Sequence, residues 1–233
     1  MGAQWKHRIR QASATARGRA FTKLTKEIIM AARNGADPAL NARLRAAVES
    51  AKKASMPRET LERAIKKGAG LLEAISYELV TYEGFAPHQV PVIVECLTDN
   101  KNRTRESIRT LFRKGQLGAS GAVAWEFDRV GFVDATPPVG ADAEAAAIEA
   151  GAQAVEPDGD GGFRFDTEPT DLDAVAKALS GLDWTVATLR LGWRAKAPRV
   201  LADPGARAEV EQFLADIDED DDVQHIYAAL ALS

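Results

Sequence analysis

Cysteine is nearly absent from this chain of 233 residues, where Cys96 stands alone. A single cysteine excludes an intrachain disulfide and a cysteine-based zinc site. Its place in the apolar run from Val90 to Leu97 predicts a buried structural thiol. Aromatic residues make up 6% of the chain, and the first 75 residues hold only Trp5 and Phe21. That scarcity argues against base stacking on single strands by this segment. No apolar run approaches the ~20 residues needed to cross a bilayer, so no membrane partner is expected. Histidine occurs three times, at His7, His88 and His225. Their separation gives no Ser/His/Asp or Cys/His order on which to build nucleophilic catalysis. The glycine loops 84–88 and 115–121 match neither a P-loop nor a dinucleotide fingerprint, and both read as turns. The acids Asp216, Asp218, Glu219, Asp220, Asp221 and Asp222 lack the spacing of an EF-hand and read as a solvated turn. The expectation is a non-enzymatic protein with no cofactor, no metal and no small-molecule substrate.

The absence that says most is one of sign. No acid precedes Glu27, whereas Lys6, Arg8, Arg10, Arg17, Arg19, Lys23 and Lys26 all do. Residues 1–76 hold 16 Lys/Arg against 6 Asp/Glu, a net of +10. The remainder holds 14 basic and 28 acidic residues, a net of −14. The total of −4 hides this separation. A self-repelling basic cluster is stabilised by a polyanion, most often nucleic acid.

Residues 1–75 read as a basic helical head. A first helix is expected from about Thr22 to Arg33, with Phe21, Leu24, Ile28 and Ala31 on one stripe and Asn34-Gly35 as its stop. A second is expected from Asp37-Pro38, with Leu40, Leu44, Ala47, Val48 and Ala51 inward. A third opens at Pro57, turns Leu61, Ala64 and Ile65 inward and closes at Gly68 and Gly70. Lys26 and Arg33, then Arg45 and Lys52, then Lys66 and Lys67 fall on outward faces as candidate phosphate contacts. Residues 1–20 show no apolar stripe and read as an arm or frayed helix.

Past residue 76 the period changes. Strands are expected at 77–83 and 90–97 around a turn at 84–87, and a strand pair at 122–127 and 130–133. Asn102 is expected to cap a helix running to about Lys114, and Arg105, Arg109 and Arg113 follow one another on it at i, i+4, i+8. They form a second candidate phosphate-binding stripe. Then come a helix at 143–150, a hairpin at 153–156 and 162–165, a helix at 171–179 and a strand at 184–191. A helix at 204–217 and a strand at 223–227 finish the chain. The fold class is therefore α+β: a three-helix bundle followed by two small ferredoxin-like α+β domains. The expected division is 1–75, a discontinuous middle domain of 76–135 plus 195–233, and an inserted domain of 136–194. Two linear domains split near 135 are the alternative.

Specific residues then become familiar. Phe21-Thr22-Lys23-Leu24, Asn41-Ala42-Arg43-Leu44-Arg45, Met56-Pro57 and Glu62–Gly68 resemble the head of the YebC/PmpR family. Tyr82–Pro87, Glu95–Thr104 and Gly121-Ala122-Val123-Ala124-Trp125 resemble its middle, and Asp221–Tyr227 its end. The likeness spans nearly the whole chain and begins at Gly2, so the Arg-rich start is expected to belong to the domain and not to a presequence. The family commonly starts Gly-His-Ser-Lys-Trp, whereas this chain has Gly2-Ala3-Gln4-Trp5. The resemblance implies a cytoplasmic three-domain protein. Bacterial relatives are DNA-binding transcriptional regulators. Others, a mitochondrial relative among them, act in translation on ribosomes that slow at sequences such as proline runs. The partner is thus nucleic acid, as DNA or ribosomal RNA, or the ribosome itself. A protein-binding adaptor is the third alternative.

Overall fold

The computed structural model describes residues 14–73, 76–159 and 161–231, with side chains from Gly18 onward. The architecture is α+β, with seven α-helices and two four-stranded sheets among the described residues. Two compact units divide the chain. One comprises the described parts of 1–23, 75–128 and 193–233, the other those of 24–74 and 129–192.

In the first unit, β1 (Glu78–Ala86) and β2 (Val90–Thr98) form an antiparallel hairpin. The short β3 (Gln116–Leu117) pairs with β1, and the last strand, β8 (Val223–Ala228), returns to β2. The order is β3-β1-β2-β8. Helices α4 (Lys101–Leu111) and α7 (Pro204–Asp218) supply Ile108, Val210, Phe213 and Ile217 to a core with Val92, Val94 and Cys96. Every residue of β2 is buried, as a strand between two neighbours and under helices requires. Cys96 is a buried thiol outside any disulfide, as its apolar run predicted.

The turn expected at 84–87 is displaced. Gly84, Phe85 and Ala86 continue β1, and the chain reverses at Pro87–Gln89, where His88 and Gln89 take φ of 60° and 58°. Gly84 serves close approach instead of turn conformation. A β-carbon there would collide with the Gln116 carbonyl of β3 and the Phe112 ring.

In the second unit, β4 (Phe127–Thr136), β5 (Ala154–Pro157), β6 (Phe163–Thr167) and β7 (Thr185–Ala195) form a sheet of order β5-β6-β4-β7. Helices α5 (Ala143–Ala150) and α6 (Leu172–Gly181) cover it around Val133, Phe165, Leu179 and Trp184. The strand pair expected at 122–127 and 130–133 does not form. Residues 124–126 are a 3-10 turn, and 127–136 is one strand that pairs with β6 and neighbours β7. Residues 129–135 therefore sit in this sheet and not with the middle segment. Alternation alone could not distinguish two short strands from one strand entered through a turn.

The head contributes the C-terminal part of α1 (Ala14–Ala32), α2 (Ala42–Lys53) and α3 (Arg58–Gly68). α1 begins well before Thr22, so residues 14–20, expected as an arm or frayed helix, are helical. α2 begins later than Asp37. Asp37 accepts from the Ala39 amide in a preceding turn, and Asn41 caps the helix through the Leu44 amide at 3.0 Å. Leu40, expected inward, is consequently 89% exposed. Asn41 also donates to the Ala31 and Gly35 carbonyls, fastening α2 to the end of α1. Ala46 of α2 joins the core of Val133 and Leu189, and Ser50 donates to the Ala187 carbonyl of β7 at 2.9 Å.

Candidate nucleic-acid interface

The head's predicted cations fall into four groups. Lys6, Arg8 and Arg10 lie outside the described residues, as does the side chain of Arg17. Arg19 and Lys23 are already engaged by acids. Arg19 donates to Glu219 at 3.3 Å, and Lys23 to the Asp218 carboxylate at 2.9 Å and its carbonyl at 2.8 Å. The Asp218 carbonyl lies at the C-terminal end of α7, where a helix gathers negative potential. Lys26 corrects an expectation, because it is 5% exposed and not on an outward face. The buried side of α1 spans Ile28, Ile29, Ala31 and Ala32, and Lys26 lies one turn before Ile29 on it.

Arg33, Arg45, Lys52 and Lys66 are exposed, and Lys67 is half-buried. Arg45 carries no salt bridge among the described residues, whereas Lys52 pairs with Glu49 at 2.7 Å. Sequence reasoning passed over Arg43 and Lys53, which are also exposed on α2. A simple count of outward positions could have found them. Arg58 and Arg63 are matched one turn away by Glu62 and Glu59. Hydrogen bonding to Arg58 holds the Glu62 carboxyl below its ordinary value. α3 thus neutralises part of its own surface, and α2 is the more positive of the two.

Arg105, Arg109 and Arg113 are all exposed. The expected continuous stripe is shorter than the spacing implied. α4 ends at Leu111, and Arg113 lies in a 3-10 turn at Phe112–Lys114. Arg109 faces Glu106 at 3.5 Å, while Arg105 and Arg113 carry no salt bridge among the described residues.

The motif residues behind the resemblance do structural work. Asp222 is 6% exposed and accepts from Thr104 at 2.8 Å, from Thr98 at 3.3 Å and from Arg103 through both carboxylate oxygens at 2.8 and 3.1 Å. Asn100 caps α4 through the Arg103 amide. The ends of β2, α4 and β8 are thereby pinned at one point. Glu83, 8% exposed, accepts from the amides of Gly121, Val123 and Ala124 at 2.7 to 2.9 Å. Burial raises its pKa, but the three amides outweigh burial and leave it lowered. Glu83 thus holds the glycine loop shut, with Gly121 at φ +85°. This loop is a structural turn and carries no phosphate cradle. Glu95 is also buried and accepts from Trp193 and Tyr227 at 3.1 and 3.2 Å.

In the second unit, the Arg164 and Arg190 guanidiniums each lie over the Phe132 ring, at 5.1 and 4.7 Å from its centroid. Arg164 also forks onto Asp134 at 2.6 and 3.1 Å. Burial pushes the nearby Glu27 carboxyl up, Arg43 and Arg190 oppose that shift, and Asp134 adds to it. No group of three or more His, Cys, Asp or Glu among the described residues could hold a metal ion. No helix among them is long and apolar enough to cross a membrane.

Comparison with known proteins gives this geometry its family. Residues 2–71 match the TACO1/YebC protein N-terminal domain, and residues 77–230 match the TACO1/YebC second and third domain. A "probable transcriptional regulatory protein" of Pseudomonas syringae pv. tomato is 60% identical over 99% of this chain and 100% of its own length. One of Bdellovibrio bacteriovorus is 46% identical over the same shares. The crystal structure of a conserved hypothetical protein from Aquifex aeolicus superposes with a TM-score of 0.82 at 41% identity, covering 93% of this chain and 91% of that one. The chain belongs to the TACO1/YebC family.

Proposed function

We propose that this protein regulates gene expression by binding nucleic acid through its basic head, in the cytoplasm and without catalysing a reaction. The observation that carries this reading is the segregation of charge, +10 in residues 1–76 against −14 in the rest. Exposed Arg45 and Lys53, which carry no salt bridge among the described residues, and the outward Lys52 and Lys66 suit phosphate contact. The names of the relatives point to transcription, so DNA-binding regulation is the primary reading. A second reading, association with ribosomal RNA, is favoured by Asn41. Its amide, a group type that reads adenine, is spent on capping α2 and binding α1, which leaves phosphate contact, common to DNA and ribosomal RNA, as the role suited to the cations there. In this scheme the head is a three-helix bundle, and the remainder comprises two ferredoxin-like α+β parts, one interrupted by the other.

The test is the salt dependence of full-length protein binding to duplex DNA and to ribosomal RNA. Neutralising about six phosphates gives a slope of log K on log[salt] near −5. A nearly flat dependence would refute the reading, whereas strong preference for one duplex over its scrambled form would show base readout and favour DNA over ribosomal RNA. Sedimentation through sucrose at low salt then separates the two targets, because a ribosome-associated factor travels with the subunits.

A further inference from the structure

The second unit contains a cleft beside the start of α2. A cavity of about 510 Å³ is bordered by Leu40, Arg43, Lys177, Arg190 and Leu191. A neighbouring one of about 350 Å³ adds Arg45 and Glu49. They share the lining residues Ala42, Asp173, Lys177 and Leu189, so the two adjoin. Four cations line it, Arg43, Arg45, Lys177 and Arg190, against the carboxylates Asp173 and Glu49. Glu27 offsets part of the charge of Arg43 and Arg190.

The sequence makes this clustering unusual. Residues 129–192 hold 4 basic and 12 acidic residues, yet two of those four, Lys177 and Arg190, border this cleft opposite arginines of the head. Lys177 and Arg45 are exposed and carry no salt bridge among the described residues. The remaining lining mixes polar side chains, among them Asn34, Thr170 and Thr185, with aliphatic ones, of which Leu40 and Leu191 are still 89% and 41% exposed.

We propose that this cleft binds the phosphate and sugar of an unpaired nucleotide within a nucleic-acid strand. The proposal rests on the nucleic-acid reading above and adds a site that the head does not build alone. Guanidinium and ammonium groups recognise phosphate. Leucine side chains pack against a sugar or base face without needing aromatic stacking. A concavity of a few hundred Å³ has the size of a small-ligand pocket. A rigid duplex lying across it reaches the rim and not the interior, so the strand must be unpaired there.

The experiment compares full-length protein and its Lys177→Gln variant. The probes are a fluorescein-labelled oligouridylate of about twelve nucleotides, within the usual range of strand sites, and an RNA duplex of equal length. Lys177 is exposed, so the melting temperature should be unchanged, and this is measured alongside. Affinity for the single strand should fall about tenfold, and its salt slope should become shallower by about one. Affinity for the duplex should stay within twofold. Unchanged single-strand binding, or equal loss on both probes, overturns the site. Failure of the unaltered protein to bind either probe would instead sink the nucleic-acid reading itself. Arg45→Gln provides the second variant and should reproduce the selective loss.

Discussion

Glu83 shows how one carboxylate can define a loop. It accepts three backbone amides while nearly out of water, and its lowered pKa follows from them. Replacing it with Ala leaves those amides unpaired and should cost about 3 kcal/mol, read as a shift of the urea midpoint. The ionised form is the one the fold favours. The stabilisation is therefore full above the unfolded pKa of about 4.3 and is lost as pH falls through the lower folded value. The gap between Glu83→Ala and the unaltered chain should close in that acidic window, and a gap constant down to the acid transition would contradict this. Asp218 and Glu219 act in the opposite sense on function. They occupy Lys23 and Arg19, two cations otherwise suited to phosphate. The double variant Asp218→Asn, Glu219→Gln should tighten nucleic-acid binding several-fold. Its stability should fall by under about 1 kcal/mol, since such pairs are only partly buried. Weaker binding in titrations would show that the two contacts position the helix for its partner.

At the scale of elements, α4 carries the clearest comparison between fold and function. Its inner side holds Thr104 and Ile108, both fully buried, and Asp222 anchors its first turn. Its outer side holds Arg105 and Arg109, with Arg113 just beyond its end. Changing all three arginines to Gln spares both the core and the anchor and keeps helix propensity. Melting should move little, while affinity falls. Of the three, Arg105 and Arg113 carry no salt bridge among the described residues, so the salt slope should become shallower by about two contacts. If melting collapses and binding per folded molecule holds, the arginines serve the fold alone. The period of 3.6 made α4, α5 and α7 readable, but the cap of α4 is Asn100 and not the expected Asn102, because Asn100 accepts the Arg103 amide and Asn102 lies inside the helix. Asp142 and Asp203 cap α5 and α7 as short polar residues that accept first-turn amides. The start of α2 was misread because Asp37-Pro38 has the same signature as a helix start. The competition was decided by Asn41, whose side chain meets three backbone groups at once.

For the whole molecule, the basic head is separate in composition but not in packing. Residues 24–74 belong to one compact unit with 129–192, where Ala46 shares a core with Val133 and Leu189. A fragment of residues 1–76 should therefore show no cooperative thermal transition by circular dichroism, and a sharp transition with full helicity would contradict this. Binding is accordingly measured on the full chain. The sequence by itself determined the α+β class, most elements, the charge segregation and the family, because periodicity, capping chemistry and motif order are local properties carried in consecutive residues. Only the tertiary structure decided that β4 joins the second sheet, that Lys26 is buried and that Arg19 and Lys23 meet acids about 200 positions away. It also brought Lys177 opposite Arg43 and Arg45 in one cleft. Each of these depends on which surfaces meet after the chain folds, and that information lies in long-range packing, which spacing along the chain does not record.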